Sequence, residues 1–96
     1  DIMNGGNSIQ IIIELEKEDM NKVEEFRILL EKDDAFNKLN HNGDVTKKHI
    51  HFARKEYQLT EQNIENFSAF VYSRIKEDFE PIMNKMIDFI DKKERG

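Results

Sequence analysis

Residues 34–60 read DAFNKLNHNGDVTKKHIHFARKEYQLT, and the way this stretch is divided decides the fold. Asn40-His41-Asn42-Gly43-Asp44 sets five turn-forming or weakly helical residues side by side. Asn and Asp side chains bond their own backbone in turns, and Gly43 tolerates a positive φ. A short helix from Ala35 should therefore stop near Leu39 or Asn40, with Asp34 as its cap. Asp44 or Thr46 offers an oxygen to the orphan N–H groups of a following helix. Ile50, Ala53 and Tyr57 then fall at i, i+3 and i+7, the spacing of one helix face. Leu59-Thr60 marks another start, with Thr60 as N-cap and Leu59 and Ile64 at the two staple positions. The spacing predicts a helix from Thr46 to Tyr57 between two helix starts.

Upstream, Asp1–Asn7 lacks periodicity and contains Gly5-Gly6, so residues 1–8 are expected to be a flexible segment before a single helical domain over 9–96. Ser8-Ile9-Gln10-Ile11-Ile12-Ile13-Glu14-Leu15 admits two readings. Ile9, Ile11, Ile13 and Leu15 alternate as in a half-buried strand, whereas Ser8 would cap a helix. A strand needs a partner, and nothing else in the chain reads as strand-like. Helix is therefore favoured, with a short N-terminal strand paired to a second copy or another protein as the alternative. Asp19–Lys32 reads as a helix with Val23, Phe26 and Leu30 on one face, and Asn21 and Glu24 at capping-box spacing.

Downstream, Ile64, Phe67, Val71, Ile75, Phe79, Ile82, Met86 and Phe89 advance by three or four residues throughout. Pro81 lacks an N–H and clashes with the carbonyl four residues back, which predicts helices over 60–79 and 81–93. Phe67, Val71, Ile75 and Met86 are expected in the core. A second apolar row, Phe70, Met83, Ile87 and Ile90, exceeds what one packing face needs. These four are the candidate partner-binding residues. The fold expected is all-α, a bundle of four to five helices with helix–loop–helix pairing.

A chain of 96 residues with one Pro is short enough for a single domain. Its net charge of −5 argues against nucleic acid, because phosphate recognition needs a basic field. The patch Lys47, Lys48, Arg54 and Lys55 is too small to reverse that. Absence of Cys excludes disulfides and thiolate metal sites and permits a cytoplasmic setting. The longest apolar run, Ile11-Ile12-Ile13, is far too short to span a bilayer, so no membrane partner is expected.

Ala35-Phe36-x-x-Leu39-Asn40-x-Asn42-x-Asp44, followed by Val45-Thr46-x-x-x-Ile50, resembles an EF-hand whose loop is shortened by about two residues. Ala53, Tyr57, Leu59-Thr60, Ile64 and Phe67, and later Asp78-Phe79-Glu80-x-Ile82-Met83-x-x-Met86, resemble the apolar pattern of a calmodulin-like or myosin light-chain-like lobe. The resemblance implies a helix–loop–helix with Asn40, Asn42 and Asp44 as a vestigial ligand set. The alternative is a plain polar turn. A working calcium loop needs several oxygens and ends in a bidentate Glu. Here the sixth-position Gly is missing and the terminal position falls on His49 or His51. A second loop at 70–76 has no acid.

Other chemistry is sparse. On the predicted helix, His49 and His51 lie on different sides and do not chelate together, and His41 would join His49 and Asp44 only by chance of folding, so no metal is expected. Glu14, Glu16, Glu18 and Asp19, and Glu24, Glu25 and Glu31, read as solvated faces. No Gly-rich phosphate loop or nucleophile elbow is present. No cofactor and no enzymatic activity are expected.

The function expected is a calcium-independent adaptor or regulatory domain gripping a partner's amphipathic helix through Phe70, Met83, Ile87 and Ile90, since Met adapts to irregular surfaces. A basic partner face would suit the acidic exterior. Two alternatives stay open. Phe26, Asp33, Phe36, Ala53 and Leu59-Thr60 resemble the leader regions of some bacterial modified peptides, and Gly5-Gly6 resembles their processing site. Self-association, as a structural or inhibitory homo-oligomer, also fits the surplus apolar surface. Calcium added at micromolar concentration is expected to leave the circular dichroism and amide NMR spectra unchanged; saturable shifts at Asn40–Asp44 would show a working loop.

Overall fold

The computed structural model describes residues 2–4, as backbone, and 7–95 with side chains. The fold is mixed α/β rather than all-α. Its elements are β1 (Ile2–Asn4), β2 (Ser8–Glu16), a single 3₁₀ turn (Lys17–Asp19), α1 (Met20–Leu30), α2 (Asp34–Asn37), β3 (Asp44–Val45), β4 (His49–Gln58), α3 (Glu61–Glu65), α4 (Phe67–Arg74), a π turn (Ile75–Phe79) and α5 (Glu80–Arg95). The strands form one antiparallel sheet in the order β1-β2-β4-β3. Within the segment expected to be flexible, Ile2–Asn4 pairs with Ile9–Ile11. The Gly5-Gly6 motif lies outside the described residues.

The isoleucine run is a strand, and its partner is inside the same chain. β2 pairs along its whole length with β4, from Ser8 opposite Gln58 to Glu16 opposite His49. β4 is the segment expected to be the helix from Thr46 to Tyr57. The reason lies in a bulge: Ile13 faces Ala53 while Glu14 faces His51, so Phe52 is the extra residue. Ile50 and Phe52 alternate in one phase, Ala53, Lys55 and Tyr57 in the next. A bulge of this kind bends the strand and breaks its period of two. Phe52 and Ala53 are therefore neighbours in sequence and both completely buried. The resulting spacing of Ile50, Ala53 and Tyr57 imitates three positions on a helix.

The polar turn survives, with a different outcome. The Asn40 side chain accepts from the Asn42 N–H at 3.2 Å, and Gly43 has φ of 75°. Asn40 then exchanges both backbone bonds with Arg54, at 2.8 and 2.9 Å. Thr46 does not cap a helix. Its hydroxyl accepts from the His49 N–H at 3.2 Å while its own N–H donates to the His49 carbonyl at 2.8 Å, closing the β3–β4 hairpin.

The helical signals are realised in part: the helix expected over 60–79 is broken at Asn66, with φ of −113° and ψ of 44°, into α3 and α4. Val23, Phe26 and Leu30 form the buried face of α1. Thr60 caps α3 through the Asn63 N–H at 3.2 Å, although Ile64 is exposed. α2 is capped by Asp33, not Asp34: its carboxylate accepts from the Phe36 N–H at 3.1 Å. α4, the π turn and α5 run on as one rod, so Pro81 does not end a helix. Its missing donor and its clash with the Glu77 carbonyl fall where the π turn has already widened the ladder. Val71 and Met86 are buried as expected, Ile75 is half-buried and Phe67 is exposed.

Helices and sheet meet in an aromatic row. Phe36 packs on Phe52 at 5.3 Å, Phe52 on Phe26 at 6.1 Å, and Phe26 on Phe89 at 5.9 Å, tying α2, β4, α1 and α5 together. Ile9, Ile11, Ile50, Phe79 and Ile82 complete the core. Phe52→Ala is expected to lower the unfolding free energy by about 3–5 kcal/mol in urea titration, with Ile87→Ala, on the exposed side of α5, within about 0.5 kcal/mol of the parent.

Candidate functional site

A strand places residues two apart on the same face. His49 and His51 therefore sit together on β4, contrary to the expectation drawn from a helix. Glu14, across the bulge on β2, lies 3.9 Å from His49 Nδ1 and 3.4 Å from His51 Nε2, and Glu16 lies 3.8 Å from His49 Nε2. His51 is the more enclosed, and its Nδ1 is buried without a hydrogen-bond partner. Among the described residues, no three His, Asp or Glu side chains are grouped so as to hold a metal ion. His41 is elsewhere, stacked on the Phe36 ring at 4.6 Å.

Two side chains of the expected vestigial loop are engaged within the protein. Asn40 spends its side-chain oxygen on the Asn42 backbone, and the Asp44 carboxylate meets the Arg54 guanidinium at 2.6 Å. This ties β3 to the outer polar side of β4.

A second polar group surrounds the π turn. The Tyr57 hydroxyl donates to Asp78 Oδ2 at 2.6 Å, with Arg74 at 3.7 Å and Lys55 at 3.8 Å from the same oxygen. Burial, then the hydrogen bond to Asp78, holds the phenol well above the usual tyrosine range. Phe70, half-buried on α4, packs edge-on against the Tyr57 ring at 6.1 Å. Beside this group a hollow of about 260 Å³ is lined by Ala35 and Leu39 together with the charged Asp34, Lys38, Lys55, Glu77 and Asp78.

Of the four residues expected to contact a partner, Phe70 is thus part of the Tyr57 packing. It lies thirteen positions before Met83 on the rod. Met83, Ile87 and Ile90 do come together, spaced by four and three residues on α5. Met83 is 41% and Ile87 53% exposed, no more than Ile28, Val45 and Ile64 elsewhere on the surface; what sets them apart is the hollow at either end of their row. The stripe joins two hollows. Met83 lines one of about 310 Å³, walled by Ile11, Ile12, Ile13, Ile75 and Phe79, with Glu14 at its edge. Ile90 lines the other, about 450 Å³, floored by Phe26 and Phe89 and edged by Asn21, Lys22, Glu25, Lys93 and Glu94. Lys93 reaches across this floor to Glu25 at 2.6 Å. The isoleucine walls were not legible as a site, because a strand forms a groove only once a helix is laid beside it.

Among the described residues no helix is long and apolar enough to cross a membrane. Comparison with family models, with curated proteins and with solved structures finds no match to the chain.

The raised Tyr57 value has a direction in pH. A phenol whose folded pKa exceeds the unfolded one, about 10, contributes stability that is complete below that pH and is lost as pH rises toward the folded value. In Tyr72→Phe, where Tyr57 is the remaining phenol, no phenolate absorbance is expected near pH 10.5 before unfolding. Ionisation there in the folded chain would mean that Tyr57 is not held by Asp78.

Proposed function

We propose that this chain is a non-enzymatic binding domain that holds another protein along the Met83–Ile87–Ile90 stripe of α5, without calcium. The observation that carries the reading is the exposure of Met83 and Ile87 between two hollows with apolar walls. Large apolar side chains left in water beside preformed hollows are the usual make-up of a binding face, where they act as anchors.

The titratable groups favour this over catalysis. Asp78 is saturated by Tyr57, Arg74 and Lys55, and the phenol beside it is held protonated. Glu14 is shared between two imidazoles at the rim of the Met83 hollow, one of them, His49, open to solvent. A regulatory or adaptor role in the cytoplasm belongs to the same proposal, in keeping with a cysteine-free composition.

The test is the double change Met83→Glu and Ile87→Glu, applied to a partner recovered by affinity capture and then reconstituted from purified components. Binding is expected to fall by about tenfold or more, while circular dichroism and the melting temperature stay close to those of the parent. Loss of the folded spectrum would place both residues in the core, and undiminished binding would move the interface elsewhere; either result ends the reading.

A further inference from the structure

We infer that the occupant of this face is a basic amphipathic helix of another protein, carrying two apolar anchors seven residues apart. The inference rests on the proposal that the α5 stripe is a binding face, and specifies what it accepts. Met83 and Ile90 are seven residues apart, which is nearly two full turns, so they stand in line on α5 about 10.5 Å apart. Each lines a different hollow. A helix lying along the stripe presents its own i and i+7 side chains at that same separation. One anchor enters beside Met83 against the isoleucines of β2, the other beside Ile90 over Phe26 and Phe89. Ile87, between them, supplies the ridge on which the visiting helix rests.

Charge selects the partner's flanks. Of the four bases of α5, Lys85 pairs with Asp33 and Lys93 with Glu25, while Lys92 and Arg95 are exposed in the last turn on the side of the helix turned away from the line of Met83 and Ile90. On the outer side, Glu80 and Asp91 lie one helical row from Ile87, and Glu94 continues the row of Met83 and Ile90. All three are exposed and form no ion pair with a described residue. Lys22 is the one base at the far hollow that is left over. Lys or Arg beside the anchors of a visiting helix would meet this carboxylate row, in a chain whose net charge is −5. A second copy of this chain would set Glu80, Asp91 and Glu94 against their equals. An anionic membrane would meet the same repulsion.

Fluorescence anisotropy with the full 96-residue chain tests this. The probes are labelled alanine- and lysine-based helical peptides of about 18 residues. One carries Leu at i and i+7, a second carries a single Leu, and a third carries both Leu with every Lys replaced by Glu. The first should bind at least about tenfold more tightly than either of the others. Its binding should weaken with added salt, and also in Asp91→Lys and Ile87→Glu, each checked for folding by circular dichroism. Equal binding of the single-anchor or acidic peptide, still lost in Ile87→Glu, overturns the two-anchor basic helix and leaves the binding face standing. Binding that is indifferent to Ile87→Glu removes both. Failure of every peptide to bind, self-association abolished by Ile87→Glu, or attachment to phosphatidylserine vesicles each overturns the inference.

Discussion

The pairing of β2 with β4 is the constraint on which the other elements depend. Nine consecutive residues with four isoleucines bring together β-branched side chains and a full row of backbone donors and acceptors. Buried backbone groups must be paired, and β4 satisfies one edge of β2 along its whole length while β1 covers the other edge at Ile9–Ile11. Once β2 is fixed, Ile9 and Ile11 become the floor on which helices must sit, because an apolar sheet face exposed to water is costly. The bulge at Phe52 then decides where the aromatic row begins. It turns two adjacent residues of β4 inward, and Phe52 reaches both Phe36 and Phe26.

The helical rod answers to that floor. The π turn at Ile75–Phe79 inserts one residue into the helical repeat, which rotates everything after it relative to α4. Phe79, Ile82, Met86 and Phe89 are thereby directed into the body, and the row Met83, Ile87 and Ile90 is left along the boundary between helix and sheet. Pro81 favours this arrangement, since it has no donor to contribute just where the ladder is widened. The polar contacts follow: Asp78, within the turn, is gripped by Tyr57 and Lys55 of β4, which pins the turn to the sheet.

Surface chemistry is divided between the two faces. The side of the sheet bearing Glu14, His49 and His51 is ionisable, while the α5 margin combines apolar hollows with carboxylates that pair with no described residue. Both depend on long-range placement. Glu14 and His51 are 37 positions apart in the chain, and Ile12 and Met83 are 71 apart. No local spacing rule reports on pairs so distant.

What the amino-acid order determined unaided was local and periodic. The α1 face of Val23, Phe26 and Leu30, the Asn40–Asp44 turn, the Thr60 cap, and the surplus row of Met83, Ile87 and Ile90 are each set by neighbours within a few residues. Such contacts are made by the helix or turn itself, whatever lies beyond it. Only the tertiary structure decided that Ile9–Leu15 and His49–Gln58 are strands. A strand's hydrogen bonds are completed by a distant segment, and the bulge at Phe52 erased the alternation that would have announced that partner. For the same reason the isoleucine walls and the glutamate between two histidines became visible only in the folded chain: sheet pairing is a relation between segments, while helicity is largely a property of one.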